Sequence, residues 1–227
     1  VLLLWNRIPS YEQGVVFVTQ GYLTLRGPGR AEIVIKKSKF IATASPVATE
    51  QDAQAFVDEV RREFWDATHN VYAFVVGEHN EIARSSDDGE PSGTAGRPVL
   101  EVVRREDVHY CVVVVTRYFG GTLLGAGGLI RAYGSAAREG LHAAGIALAQ
   151  AMREVLFVIE YPMLGKVQNH LAETGIETVD VDYAERVTMR VMVPSDALEL
   201  FAKAMTELLS GAFEPQVGEE RLALVDP

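Results

Sequence analysis

The apolar positions follow two periods along the chain, and the period switches mark its elements. Ile33 and Ile35 alternate with Glu32 and Lys36, and Phe40 to Val47 follows a polar link carrying Lys36, Lys37 and Lys39, which predicts a pair of strands. Ala53, Phe56, Val57, Val60 and Phe64 recur on one helical face, so Glu50 to Trp65 reads as an amphipathic helix with Thr49 as its N-cap. Val71 to Val76 reads as a buried strand that turns at 77–80 into a second one ending near Arg84. Thr94 to Arg105 opens a helix, with Pro98 tolerated in its first turn and Val99, Val102 and Val103 at helical spacing. His109 to Thr116 is continuously apolar and therefore expects cover on both faces. A long helix from about Ala126 to Ala144 turns Leu129, Ile130, Tyr133, Ala137 and Leu141 inward and stops at Gly145. Residues 22–147 are therefore expected to form a mixed sheet with helices on it.

Beyond Ala149 the pattern gives a strand (155–161), a helix (163–174), two strands (176–183 and 186–193), a helix (195–210) and a strand (216–224). That βαββαβ order is the ferredoxin-like arrangement. The expected fold class is α+β in two domains, 22–147 and 148–227, with a link at Gly145 to Gln150. Residues 1–21, interrupted by Pro9, Ser10 and Gly14, read as a poorly ordered extension.

Charge refines this division. The net charge is -10, but residues 151–227 carry 6 basic and 14 acidic side chains while residues 84–150 carry 7 of each. A broad basic face for duplex DNA is unsupported, whereas a local basic patch in the neutral middle stays open. Cys111 is the single cysteine, which excludes an intrachain disulfide and a multi-thiolate zinc site and fits a cytoplasmic setting. No apolar run approaches the roughly 20 residues of a membrane span.

Candidate chemistry concentrates between Asp87 and Tyr133. A strand delivers Arg117, Tyr118 and Phe119 into the loop Gly120, Gly121, Gly125, Gly127 and Gly128, which opens the long helix carrying Arg131. Glycines allow close backbone approach, and the N–H groups and dipole at a helix start favour an anion such as phosphate. The nucleotide fingerprints fail: Ala126-Gly127 stands where a P-loop needs Lys and Ser or Thr, and Ile130 replaces the last dinucleotide glycine. The same glycines serve equally for a tight turn and close packing. Asp87, Asp88, Glu90 and Thr94 form an acidic turn expected near the arginines, and its spacing does not fit a calcium loop. No histidine lies at metal-ligand spacing, Ser92 is not in a nucleophile elbow, and no cofactor or metal is expected. Tyr118 and Phe119 beside Arg117 have the composition of groups that stack on single-stranded bases.

Asp87-Asp88-Gly89-Glu90-Pro91-Ser92-Gly93-Thr94-Ala95-Gly96, then Val115 to Gly121 and Leu124 to Gly134, resemble the signature of the IMPACT family, specifically its bacterial YigZ-like branch. The resemblance runs from about Tyr22 through Ala147 and, more weakly, across the C-terminal domain. It implies an N-terminal domain like the second domain of a small-subunit ribosomal protein, and a ferredoxin-like domain akin to one in an elongation factor. Eukaryotic members regulate translation by competing for the activator of an initiation-factor kinase. Bacteria lack that pathway, so only a broader role with RNA, the ribosome or a translation factor carries over, and no catalytic residue comes with it. Three classes of function stay open: a non-catalytic translation-associated or RNA-binding protein, a phosphate- or nucleotide-binding enzyme using the loop at 120–128, and a protein-binding regulator without nucleic acid.

Overall fold

The structure is a computed structural model that describes residues 21–77 and 79–226. The extension expected over residues 1–21 therefore lies, Gly21 apart, outside the described residues. Contacts divide the chain into two compact units, one built on Tyr22–Ala149 and the other on Gln150–Ala223.

In the first unit, β1 (Gly21–Leu25) precedes β2 (Gly29–Ile35), β3 (Ser38–Pro46), α1 (Glu50–Glu63), β4 (His69–Val76), β5 (Ile82–Ser86), α2 (Gly96–Arg105), β6 (Cys111–Tyr118) and α3 (Ala126–Ala144). The sheet order is β2-β3-β6-β4-β5. The mixed sheet expected from the sequence is instead antiparallel at every pairing. β3 and β4, joined through α1, do run the same way, but β6 inserts between them and opposes both.

The valine run of β6 is explained by this central place. Cys111, Val113 and Val115 face one core with Val71, Ala73 and Val75 of β4, under Val99 and Val103 of α2 and Tyr133, Ala137 and Leu141 of α3. Val112 and Val114 face the other, with Phe74, beneath Ala53, Val57 and Val60 of α1. The period-2 alternation of a strand thus feeds two apolar layers at once. Thr49 caps α1 in a reciprocal box with Asp52, an arrangement that stabilises by about 1 kcal/mol. β6 starts two residues later than the apolar run implies because Asp107 and Tyr110 adopt left-handed backbone (φ 53° and 50°) and His109 N–H bonds the Leu23 carbonyl. Ile130, expected inward, is 45% exposed; Ala132 and Ala136 share the buried face of α3 instead.

The link expected at 145–150 is no loop. β7 (Ile146–Ile159) runs straight through it, with Ala147, Ala149 and Gln150 buried. Small residues hid the strand, since Ala has little β-propensity and a strand of this kind is decided by its partners. In the second unit α4 (Leu164–Thr174), β8 (Glu177–Tyr183), β9 (Val187–Pro194), α5 (Leu198–Leu208) and β10 (Gln216–Val225) follow; β7 belongs to a five-stranded sheet of order β1-β7-β9-β8, and β10 also pairs with β7. This is a ferredoxin-like unit, with Val167 and Leu171 of α4 and Phe201 and Met205 of α5 packed on Phe157, Met189 and Val191. No helix among the described residues is long and apolar enough to cross a membrane.

Candidate functional site

The acidic turn is a clasp built by its own carboxylates. Asp87 accepts N–H bonds from Gly93 (2.8 Å), Ala95 (3.0 Å) and Gly96 (2.8 Å), which closes the turn and caps the start of α2. Burial alone would raise the Asp87 carboxyl, but these three donors outweigh it and hold it below its usual range. Asp88, itself left-handed at φ 45°, accepts from Arg61 (2.8 Å) and from the Asn70 N–H (2.6 Å), and its carbonyl accepts from His69 Nδ1 at 2.7 Å. Thr94 is buried and donates to the Pro91 carbonyl at 2.6 Å. The turn, Asp88 above all, thereby fastens α1, β4 and α2 together.

Glu90 reaches furthest inward. It accepts from Arg117 Nη1 at 2.6 Å and from the Tyr133 hydroxyl at 2.7 Å, with His69 Nε2 at 3.8 Å. Arg117 is 5% exposed, so the guanidinium expected to meet an anionic ligand is enclosed and neutralised by Glu90. Its Nη2 donates to Ser38 Oγ at 3.3 Å, while Nε finds no partner among the described residues. The rings of Phe40 and Phe119 lie 5.4 and 5.5 Å from it, and their faces offset part of that deficit. Burial, then the Glu90 carboxylate, pushes the Tyr133 hydroxyl far above its ordinary range. Of the three acidic residues, only Glu90 pairs with one of the expected arginines. The carboxylates diverge to separate partners and form no common ligand set; among the described residues no cluster fit to hold a metal occurs.

Arg117 instead supports the surface around Phe119. That ring is 46% exposed, and Tyr118 beside it carries Lys39 Nζ at 5.2 Å from its ring centre and donates to Asp66 at 2.8 Å. Gly120 is packed so tightly that an added Cβ would stand 2.0 Å from the Lys37 carbonyl carbon. The adjoining β2–β3 turn is two residues long, with Ile35 opposite Ser38, and both turn residues are lysines with positive φ, 46° at Lys36 and 68° at Lys37. Such turns favour Asn and Gly, and two side chains held left-handed cost of order 1 kcal/mol each. Neither lysine has an ion-pair partner among the described residues.

The remaining glycines shape the entry to α3. Gly121 and Gly127 are exposed, Gly128 is half-buried, and Gly125, at φ 71°, starts the helix without any side-chain cap. The start of this 19-residue helix thus has no N-cap side chain to satisfy its first-turn N–H groups. Arg131 is exposed and its Nη1 lies 3.6 Å from where a Cβ of Gly127 would be, so the guanidinium lies back over that turn.

Sequence reasoning placed Lys36 and Lys37 in the link between two strands but missed their left-handed backbone, and it missed Ser38, His69 and Arg61. Only the fold brings them to the clasp and to Gly120.

Residues 36–141 match the Impact N-terminal domain and residues 157–212 match a domain of unknown function. The chain is 44% identical over 198 residues to the IMPACT family member YvyE of Bacillus subtilis, covering 87% of this chain and 91% of that protein. It belongs to the IMPACT family. Similarity to the IMPACT family member YigZ of Escherichia coli is 34% identity over 188 residues, 82% of this chain and 92% of that one. A crystal structure described as a hypothetical protein aligns with a TM-score of 0.56 at 32% identity, over 88% of this chain and 98% of the other. The IMPACT match spans the whole clasp, the Phe119 surface and all but the last turn of α3.

Proposed function

We propose that this IMPACT protein is a non-catalytic, cytoplasmic, translation-associated protein that binds single-stranded RNA through the end of the sheet in its N-terminal unit. The observation that carries the reading is the Lys36-Lys37 turn, held left-handed against Gly120 and beside the exposed Phe119 ring. Strain of this kind is retained where it places a functional group. The turn supplies two free ammonium groups for the phosphate backbone, Phe119 a face for one base, and the uncapped start of α3 with Arg131 a further anion contact. Arg117 is the positioning residue: it backs the Phe119 ring from inside and is fixed by Glu90.

A non-catalytic role is supported by the engagement of the polar groups near the glycine turn. Asp87, Asp88, Glu90, Thr94, Tyr133 and His69 are each committed to a structural hydrogen bond. Cytoplasmic residence is supported by Cys111, a free and fully buried thiol. The test is binding of a fluorescent hexa-uridine RNA to the full chain and to Phe119→Ala. Loss of one stacking face should weaken binding by about 1–3 kcal/mol, roughly 5- to 150-fold. Equal binding by both proteins removes Phe119 from the interface, and no binding by either removes the reading.

A further inference from the structure

A groove of about 650 Å³ lies between α2 and α3, and nothing in the RNA reading accounts for it. Arg97, Arg105 and Arg131 line it, all exposed and none with an acidic partner among the described residues. In a chain of net charge -10 that is a local concentration of free positive charge. The two acidic side chains of the same wall are already engaged, Glu106 by Arg138 at 2.9 Å and Glu101 by Arg104 at 3.8 Å. The second contact is long and leaves Glu101 able to accept a hydrogen bond.

Ser135 and Arg138 also line the groove, and the remainder of the lining is apolar or glycine. Pro98, Val102 and Ile130 contribute to it, and Ile130 is the residue whose helical phase would be expected to bury it. Its 45% exposure on the groove wall is unfavourable in water and becomes favourable once a ligand covers it. A site that combines guanidinium groups, an aliphatic wall and one accepting carboxylate selects a ligand with a phosphate, a flat apolar portion and a hydroxyl. Guanidinium forks match phosphate oxygens in pairs and also stack on planar rings. The volume suits a molecule of a few hundred daltons rather than a bare ion.

We propose that the α2–α3 groove binds a nucleoside 5′-phosphate, with the phosphate held by arginines 97, 105 and 131, the base against Val102 and Ile130, and a ribose hydroxyl donating to Glu101. The ligand is either a free mononucleotide or the 5′-phosphorylated end of an RNA strand. Because Arg131 also lies over the first turn of α3, the groove opens beside the surface assigned to RNA above. The inference nevertheless stands without that assignment.

The experiment is calorimetric titration of the full chain with AMP, and with adenosine as the phosphate-free control. AMP should bind in a 1:1 ratio and adenosine at least about tenfold more weakly. The Arg97→Ala/Arg105→Ala variant, both positions being exposed, should melt as wild type and bind AMP at least about tenfold more weakly. Ile130→Glu, which places a carboxylate on the groove wall, should lose AMP binding to a similar degree. A second arm compares hexa-adenylate RNA with a 5′-phosphate and with a 5′-hydroxyl. Preference for the phosphorylated strand together with competition by AMP identifies the strand end as ligand; AMP binding without that preference identifies the free nucleotide. No AMP binding up to about 10 mM, or unchanged binding in both variants, overturns the proposal. Failure of the RNA reading looks different: AMP binds normally while neither hexanucleotide does.

Discussion

Removing the Glu90 side chain should unfold the N-terminal unit far more readily than its size implies. Among the described residues Glu90 is the one acidic partner of Arg117, whose side chain is 6% exposed, and it also accepts the Tyr133 hydroxyl. Glu90→Ala therefore leaves a buried guanidinium without its carboxylate, with neutral hydroxyls such as Ser38 Oγ beside it. Stranding one member of a buried ion pair costs about 3–5 kcal/mol, much of it the desolvation of the charge left behind. Removing both members is milder, so Glu90→Leu/Arg117→Met should be less destabilised than the sum of the single variants by about 2 kcal/mol. Hydrogen exchange of the β6 amides reads this within the unit, because that central strand is buried on both faces. Protection should fall by about 150- to 5,000-fold in Glu90→Ala and partly recover in the double variant. A change below about threefold in Glu90→Ala, or strict additivity, would show that Glu90 and Arg117 do not depend on each other.

Three further outcomes follow from the same geometry. Gly120→Ala should destabilise by about 1–3 kcal/mol in urea unfolding, because the added methyl meets Lys37 backbone rather than a movable side chain. Cys111 is fully buried and its thiol is pushed up to about 12, so it should resist a disulfide reagent at pH 8 in the native protein and react promptly in guanidinium. Asp87 has a folded pKa below its unfolded one, so its contribution is fully present above the unfolded carboxylate pKa of about 4 and is lost as pH falls through the folded value. Asp87→Asn should remove that part of the acid slope in a melting series and leave the protein less stable at neutral pH.

Much of the fold was legible because period and capping agree. Thr49 and the 3.6-residue pattern after it place α1, and the alternate assignment of valines to two cores follows from a continuous apolar strand. Strand partners were not legible: nothing in the local pattern says that β6 enters between β3 and β4. The strand through Ala147 and Ala149 was hidden for a related reason, since small residues become a strand only where neighbours supply the hydrogen bonds. At the site, the grouping of the acidic turn with Arg117 was readable from the motif, but its meaning changed once burial was known. Arg117 is an enclosed ion-pair partner, not a free charge, and Arg97 and Arg105 gain interest only because α2 lies against α3.

The most direct test of the RNA assignment is the salt dependence of single-stranded RNA binding by the full chain and by Lys36→Ala/Lys37→Ala. Each phosphate contact on a single strand contributes about 0.7 to the slope of log K against log salt, so the double variant should bind more weakly with a slope shallower by about 1.4. Identical slopes for the two proteins would contradict the account, because the strained lysine turn would then have no part in holding the backbone.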